Sequence, residues 1–335
     1  MKNIYFLLKL NRLVKSGRIK SIGIYILHAL GKRYFGIFLD PVFMCNLRCK
    51  MCYFSDDTKR KAKQSRMLTD DELNKIANAF FHRALKLQIG CGAEPSLFPN
   101  NKEIIRLAKE KHVPYVSMTT NANRFSEEEW NELLESGLDE VTLSLHGVCK
   151  ETYEYFMTNA SYDAFTSSLK ALTMMKKEYP HFKVRINYTV NKDNLQELSS
   201  FFDTFKEYDF DILQIRPIQR LGDTTYNDFS WAEIIEQYDS VIGKLKEESA
   251  LRKVTFMAPS KQDLTKQDNE NSSITDSTYF YISSRSCWQN DFNLDTDTYE
   301  SYSKRTHLGR KLLKKAFQSK KQMSKSKNNL NYEIN

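Results

Sequence analysis

Short runs of β-branched and apolar residues alternate with amphipathic helical stretches along most of the chain, and this alternation constrains the fold more than any other feature. Repeated strand–helix units build a parallel sheet covered by helices. Two helices begin at capping-box pairs, Thr69 with Glu72 and Ser126 with Glu129, and Gly137 marks the end of the second. Six strands are predicted, at residues 36–42, 85–90, 114–120, 140–146, 183–190 and 211–218, with a further edge strand at 253–258.

The loop after the first predicted strand is enlarged and contains the stretch CNLRCKMC. Cys45, Cys49 and Cys52, three of the chain's six cysteines, lie within these eight residues. In β/α barrels, chemistry takes place in the loops that follow the carboxyl ends of the strands. The position of the three cysteines therefore predicts a functional centre at this end of the sheet.

The spacing of the three cysteines favours an iron–sulfur cluster. Thiolates are soft ligands suited to zinc, copper(I) and iron–sulfur clusters. A zinc site normally shows its fourth ligand as another Cys or His in a paired spacing, and none follows Cys52. Three thiolates can hold three irons of a [4Fe–4S] cube and leave the fourth iron open to a small molecule. A zinc-bound or cluster-bound interaction module without enzymatic activity remains the alternative.

The C-x3-C-x2-C pattern, with the strand pattern from residue 36 to about 220, resembles the radical S-adenosylmethionine (radical SAM) superfamily. The resemblance implies an α/β fold, a partial (β/α)6 TIM-like barrel, in which Cys45, Cys49 and Cys52 are the metal ligands and the catalytic centre. It implies two cofactors, a [4Fe–4S] cluster and SAM, and a reductant such as flavodoxin or ferredoxin. In the family, SAM is cleaved reductively to a 5′-deoxyadenosyl radical, which abstracts a hydrogen atom from the substrate.

Motifs at the ends of the later strands also resemble those of the family. They are GCGAEP (90–95), TTNAN (119–123), SLHG (144–147) and RINYTVNKDN (185–194). The resemblance assigns Glu94 to the methionine ammonium group of SAM and Ser144 to its ribose. The residues expected to bind the cofactor are Glu94, Ser144, Asn187, Asn121, Tyr53 and Arg216.

Some of these positions have structural alternatives. Tyr53 or its neighbour Met51 is expected to pack against the adenine. Arg216 and Arg220 either bind the SAM carboxylate or an acidic substrate, or form structural ion pairs. His146 stands where the family frequently has Asp, so the resemblance assigns no role to this side chain.

The C-terminal segment resembles a degenerate form of the SPASM or twitch extension found in peptide-maturing members of the family. Only Cys287 remains in it, and because one thiol cannot hold a cluster, we expect a single cluster per chain. Cys287 is either an inert thiol or a hydrogen-atom donor, and Cys91 and Cys149 are expected to be packed thiols. The predicted divisions are an N-terminal amphipathic helical segment (1–34), a core barrel (35–258), a small C-terminal subdomain (259–319) and a basic, disordered tail (320–335).

Composition and charge place the chain among soluble globular proteins, with 41% hydrophobic and 27% charged residues. Unevenly spaced cysteines in a chain of this length predict a reducing compartment, the cytoplasm. The net charge of +8 favours acidic partners, but nucleic acid is not expected, because the aromatic residues do not interleave with the basic runs. Residues 1–34 are apolar and basic without a membrane-spanning run or a secretory signal, so they either cap the fold or contact a membrane surface.

The sequence leaves the substrate open. The degenerate C-terminal extension favours a peptide or protein substrate, modified by a maturase or a cross-linking enzyme, although no winged-helix peptide-recognition domain is evident in the sequence. The alternative is a small molecule such as a sugar, a nucleoside or a lipid precursor. Substrate contacts in such barrels come from loop tips, for which sequence offers no general code.

Overall fold

The computed structural model describes residues 13–14, 16–56, 66–218, 224, 226, 230–265 and 274–318. Within them the main element is an eight-stranded sheet. Its strands are β1 (Phe35–Asp40), β3 (Ala84–Ile89), β4 (Val116–Thr120), β5 (Glu140–Leu145), β7 (Lys183–Val190), β8 (Ile212–Pro217), β9 (Thr255–Met257) and β10 (Tyr279–Ser283). A separate two-stranded sheet pairs β2 (Arg48–Cys49) with β6 (Met157–Thr158) in antiparallel fashion.

The main sheet is parallel throughout and has the order β10-β1-β3-β4-β5-β7-β8-β9. The six strands predicted from the alternating pattern all form, and the predicted edge strand forms as β9. In the described part of the chain, β9 and β10 do not pair with each other. The sheet is therefore an open, partial barrel, which confirms the predicted α/β fold class.

The strand β10 was not predicted. It pairs with β1 in parallel register, from Gly36 opposite Tyr279 to Asp40 opposite Ser283. Aromatic rings stack across this strand pair. The ring centroids of Phe35 and Phe280 lie 3.8 Å apart. The C-terminal segment thus contributes an edge strand to the main sheet.

Twelve helices accompany the strands in the described ranges. Their bounds are α1 (Gly17–Ala29), α2 (Asp70–Phe80), α3 (Asn101–Glu110), α4 (Glu127–Glu135), α5 (Lys150–Phe156), α6 (Tyr162–Met175), α7 (Phe201–Thr204), α8 (Ile235–Leu251), α9 (Lys261–Thr265), α10 (Thr275–Thr278), α11 (Tyr299–Arg305) and α12 (Leu308–Ala316). Both predicted capping boxes form, at the N-termini of α2 and α4. Gly137 follows α4 with φ +102°, a conformation that favours glycine.

The two faces of the sheet differ in polarity, as β5 illustrates. Val141, Leu143 and Leu145 are fully buried in the main apolar cluster. The alternate residues Thr142 and Ser144 line a cavity on the opposite face. The helices therefore cover an apolar outer face, while the inside of the barrel is polar.

A buried network closes the amino-terminal end of the barrel. Arg185 Nη2 lies 2.8 Å from Glu140 Oε1, and the hydroxyl group of Tyr115 donates to Glu140 Oε2 at 2.5 Å. Arg185 Nη1 also donates to Gln214 at 2.8 Å. Because each charge in this network has an opposite charge or a hydrogen-bond partner, the polar interior is stable away from solvent.

Candidate functional site

One cavity of about 390 Å³ opens among the carboxyl ends of the strands. The strand-end loops that line it come from β1, β3, β4, β5, β7 and β8. All nine side chains that the sequence singled out line it, namely Cys45, Cys49, Cys52, Tyr53, Glu94, Asn121, Ser144, Asn187 and Arg216. The structure thus places these residues together, while the role of each remains a prediction.

The cysteine loop is fastened to the barrel at several points. Cys49 lies in β2 and pairs with Met157 of β6, which gives the loop an antiparallel anchor. Arg48 Nη1 donates to the carbonyl of Cys45 at 2.8 Å, and the amide of Cys52 donates to the carbonyl of Cys49 at 2.9 Å. The three thiols therefore lie on one folded stretch of backbone rather than on an open loop.

Burial controls the ionisation of the three thiols. It raises the pKa of Cys52 to about 11. Burial, with the nearby carboxylate of Glu94, raises the pKa of Cys45 to about 12. Burial together with the neighbouring thiols Cys52 and Cys45 raises the pKa of Cys49 well above its usual value. Because iron binds thiolates, cluster assembly at this site must release protons.

The donor set of the site fits an iron–sulfur cluster with one open iron. Three thiols of one loop line the cavity wall, and the fourth cysteine that lines the cavity, Cys91, belongs to a different loop, the one that follows β3. Within the described ranges, no group of three His, Cys, Asp or Glu side chains is arranged to hold a metal ion as it stands.

Glu94 is buried beside the cysteine loop. Its carboxylate accepts hydrogen bonds from the hydroxyl group of Thr120 at 2.6 Å and from the amides of Asn121 at 2.9 Å and Ser96 at 3.1 Å. Burial raises the pKa of Glu94, an effect that these donors oppose. Three of about four lone-pair positions on the carboxylate are engaged, which leaves room for one further donor. The predicted contact with the ammonium group of SAM would use that position.

Asp40 is a residue that the sequence analysis missed. Its carboxylate at the end of β1 accepts hydrogen bonds from the amides of Cys91 at 2.7 Å and Gly92 at 2.9 Å, and from the hydroxyl group of Tyr281 at 2.7 Å. It thereby fixes the loop that leads to Glu94. A polar residue at the carboxyl end of an apolar strand, as in GIFLD, was the available signal.

Gly90 allows this loop to turn. Its φ is +76°, and a Cβ atom added there would lie 2.4 Å from the carbonyl oxygen of Thr119. No residue with a side chain fits this position without moving the adjacent strand. The first glycine of GCGAEP is thus required by close packing between β3 and β4.

Ser144, Asn187 and His146 form a polar wall of the cavity. Ser144 lies opposite Asn187 in the register of β5 and β7. In the described part of the chain, Asn187 Oδ1 and His146 Nδ1 are buried and have no hydrogen-bond partner. Burial lowers the pKa of His146 to about 4, so its imidazole is neutral at physiological pH. Unpartnered buried polar atoms at a cavity wall indicate positions that a ligand satisfies.

Asn121 and Tyr53 contact protein groups as well as the cavity. Asn121 Nδ2 donates to Asn46 Oδ1 at 2.9 Å and so joins the loop after β4 to the cysteine loop. The hydroxyl group of Tyr53 donates to the carbonyl of Gly92, and its ring packs against Phe54. Both residues therefore hold the loops of the site together, in addition to any contact with a ligand.

Arg216 lies exposed at the end of β8 and lines the cavity. In the described structure its guanidinium group forms no ion pair or hydrogen bond, in contrast to that of the paired Arg185. This favours ligand binding over the structural ion pair considered from the sequence. Arg220, which the sequence analysis placed with it, lies outside the described residues.

The three other cysteines differ in environment. Cys91 faces the cavity, and burial raises its pKa well above the usual value. Cys149 is exposed, so the expectation that it is a packed thiol was wrong; it lies directly before α5, with its sulfur 3.5 Å from Glu197 Oε1. Cys287 does not line the cavity, and burial raises its pKa to about 12. This position supports the inert alternative for Cys287.

Comparison with known proteins finds a family that matches part of the chain. The model of the radical SAM superfamily matches residues 41–205. A curated protein of Sulfurisphaera tokodaii named "Probable GTP 3′,8-cyclase" is 23% identical over 209 residues, which cover 62% of this chain and 64% of that protein. The chain thus spans about two thirds of the length of this relative.

Solved structures share the fold at low sequence identity. Streptococcus suis SuiB bound to S-adenosylmethionine has a TM-score of 0.61 at 14% identity, covering 82% of this chain and 67% of SuiB. Native anSMEcpe with bound AdoMet has a TM-score of 0.60 at 16% identity, covering 88% of this chain and 92% of that structure. SuiB bound to the precursor peptide SuiA aligns with a TM-score of 0.58.

The open parallel barrel with a three-cysteine loop at its carboxyl end defines an α/β protein whose cavity presents three thiols as possible ligands for a cofactor. Residues 41–205, just under half of the chain, match the radical SAM superfamily. This family uses a [4Fe–4S] cluster and SAM.

Proposed function

We propose that the chain is a radical SAM enzyme that cleaves SAM reductively at one [4Fe–4S] cluster and abstracts a hydrogen atom from a substrate. The observation that carries the proposal is that the loop after β1 places three thiols at the cavity wall. No fourth cysteine lies on that loop. When bound, the cluster supplies the electron that releases the 5′-deoxyadenosyl radical from SAM. Cys45, Cys49 and Cys52 are the residues that would hold it.

The remaining residues of the cavity would bind and orient SAM. Glu94 offers its open acceptor position to the ammonium group, a charge-assisted contact inside a desolvated site. Arg216 offers an unpaired guanidinium group to a carboxylate. Asn187, with its unpartnered carbonyl oxygen, can accept a hydrogen bond from the nucleoside. Asp40 and Asn121 hold the loops that carry these groups.

We propose a peptide or protein as the substrate, modified by a maturation or cross-linking reaction. Two observations support this proposal: the fold resembles SuiB, one of whose structures contains a precursor peptide, and the C-terminal segment resembles a degenerate peptide-maturase extension. A flavodoxin or ferredoxin would supply the electron, and the basic net charge of +8 suits such acidic partners. All six cysteines are free, in keeping with a reducing cytoplasmic compartment.

A small-molecule substrate is the second candidate, and a specific observation favours it. The curated S. tokodaii relative bears the name of a GTP cyclase, and its match covers 62% of this chain. The polar barrel interior, with Lys86, Gln88 and Gln214 on its walls, also suits a compact polar molecule.

Anaerobic turnover separates these possibilities. Purified protein is reconstituted with iron and sulfide, reduced with dithionite and incubated with SAM, and 5′-deoxyadenosine is measured by mass spectrometry. The proposal predicts formation of 5′-deoxyadenosine, faster with a substrate than without. Stimulation by a peptide pool supports the peptide, and stimulation by nucleotides or sugars supports the small molecule. Protein that carries stoichiometric zinc and leaves SAM intact would instead be an interaction module, contrary to the proposal.

A further inference from the structure

The helix α1 presents a stripe of apolar side chains to solvent. Ile19, Ile22 and Ile26, with Leu30 directly after the helix, are exposed by 61%, 41%, 47% and 65%. Their spacing of three and four residues places them on one face of the helix. On the same face, a Cβ atom added at Gly23 would have nothing within 4 Å. A surface helix normally presents polar residues on its outer face, so this stripe is an interaction surface.

The opposite face of α1 fixes the helix to the body of the protein. Ser21 is buried, and the ring of His28 contacts the hydroxyl group of Tyr299 at 2.9 Å. The helix also packs along α12, where a Cβ atom added at Gly309 would lie 3.4 Å from the His28 ring. The stripe is therefore held in a defined orientation beside α12.

The sequence segments that contain α1 and α12 are rich in basic residues and lack acidic ones. Between residues 1 and 39 the sequence has eight Lys or Arg and no Asp or Glu. Between residues 301 and 332 it has ten Lys or Arg and again no Asp or Glu. Arg18 on α1 and Arg310, Lys311 and Lys314 on α12 are exposed. Glu300, the acidic residue that precedes this run in sequence, is paired with His82, and Asp276 lies near Lys315 of α12.

We propose that α1 and α12 together form a docking surface for a membrane that contains anionic phospholipid. An apolar stripe flanked by basic residues is the pattern by which a helix lies in the interfacial layer of a bilayer. The apolar side chains enter the acyl boundary, and the Lys and Arg side chains contact the lipid phosphates. Residues 1–12 and 319–335 are also basic in sequence. Because they carry the same charge as the surface, electrostatic repulsion disfavours their packing on it.

The docking surface lies far from the mouth of the cavity, so membrane binding would leave the cavity open. Arg33 joins the segment after α1 to the carbonyl of Ala84 at the start of β3, and Arg83 donates to the carbonyl of His28. The docking surface therefore lies at the amino-terminal ends of the strands, opposite the cysteine loop. A docked protein would keep its cavity facing away from the membrane. The inference is independent of the reaction proposed above.

Vesicle co-sedimentation of the full chain tests the docking surface. We expect the protein to sediment with vesicles of phosphatidylcholine and phosphatidylserine, and about fivefold less binding for each basic residue removed. Binding should fall at high salt, because the attraction to lipid phosphates is screened. It should also be weak on vesicles of phosphatidylcholine alone.

Two double substitutions to glutamate test whether the apolar stripe of α1 is the part of the protein that contacts the lipid. Ile22→Glu with Ile26→Glu places two carboxylates in the stripe and should weaken binding by more than tenfold. Met174→Glu with Leu251→Glu is the matched control, because these side chains are 52% and 84% exposed on other helices. The control should bind as the wild type does, and circular dichroism should show that both variants fold.

Three results would overturn the proposal. The first is a wild-type protein that stays in the supernatant with anionic vesicles. The second is equal loss of binding in the stripe variant and the control. The third is a wild-type dimer that the stripe variant converts to a monomer, since a second copy would then cover the surface.

Discussion

The hydroxyl group of Tyr281 on β10 donates a 2.7 Å hydrogen bond to the carboxylate of Asp40 at the end of β1. The same carboxylate binds the amides of Cys91 and Gly92. A residue from the C-terminal segment thereby supports the loop that carries Glu94. The edge strand β10 is thus connected to the candidate cofactor site, although Tyr281 itself does not line the cavity.

Tyr281→Phe should loosen this loop. The change removes one donor from a buried carboxylate and should lower the free energy of unfolding by about 1 kcal/mol or more. The affinity of the reconstituted protein for SAM should fall by about three- to tenfold, as measured by equilibrium dialysis. Tyr155→Phe, at a side chain that is 56% exposed, is the control and should change neither quantity. Unaltered SAM affinity in Tyr281→Phe would show that the Asp40 contact has no influence on the site.

Single substitutions of the three loop cysteines should prevent cluster assembly. Cys45→Ala, Cys49→Ala and Cys52→Ala each remove one of only three protein bonds to iron. Iron and sulfide analysis after anaerobic reconstitution should show near-complete loss in each variant. Cys149→Ala and Cys287→Ala should retain the wild-type iron content. A loop variant that keeps a full cluster would contradict the assignment of that ligand.

Glu94→Gln should reduce SAM affinity without removing the cluster. The carboxylate accepts three hydrogen bonds. In the glutamine variant, the side-chain NH₂ group would face one of the N–H or O–H groups that now donate to Glu94, and that hydrogen bond would be lost. We expect a loss of about 1–3 kcal/mol in unfolding free energy and a fall of about tenfold in SAM affinity. Glu132→Gln, which breaks an exposed ion pair with Lys102, serves as the control and should have almost no effect. If Glu94→Gln binds SAM normally, the carboxylate has only a structural role.

His146 should make stability depend on pH. Burial lowers the pKa of His146 from 6.5 to about 4, so the unfolded chain binds a proton more readily between these values. The contribution of the neutral imidazole to the free energy of unfolding is therefore complete above pH 6.5. It falls by at most about 3 kcal/mol as the pH drops toward 4. Urea unfolding across this range should show a shallower pH dependence in His146→Gln than in the wild type. The exposed His181→Gln is the control, and a slope in His146→Gln equal to that of the wild type would refute a buried neutral imidazole.

The sequence predicted the strands of the barrel because their pattern is local. The alternation of Val141, Leu143 and Leu145 with polar residues is visible along β5 itself, and the capping box at Thr69 spans only four residues. The cysteine loop was also predictable, since its three thiols are adjacent in sequence. Each of these features depends on near neighbours in the chain.

Features that depend on distant residues were not predictable in this way. The strand β10 forms because Phe280 stacks on Phe35, which is far away in sequence. The role of Asp40 depends on a hydroxyl group from that same strand. The exposure of Cys149 depends on how the loop before α5 is placed against Glu197. Long-range packing decides all three, and a single sequence does not reveal which segments meet.

The central claim is that three cysteines hold a cluster whose fourth iron has no protein ligand. Electron–nuclear double resonance on the reduced, reconstituted protein tests it most directly, with SAM labelled at the amino nitrogen and the carboxylate oxygen. The account predicts couplings from both labels to one iron, and their loss when any one of the loop cysteines is replaced. A cluster with four protein donors and no coupling to SAM would contradict it.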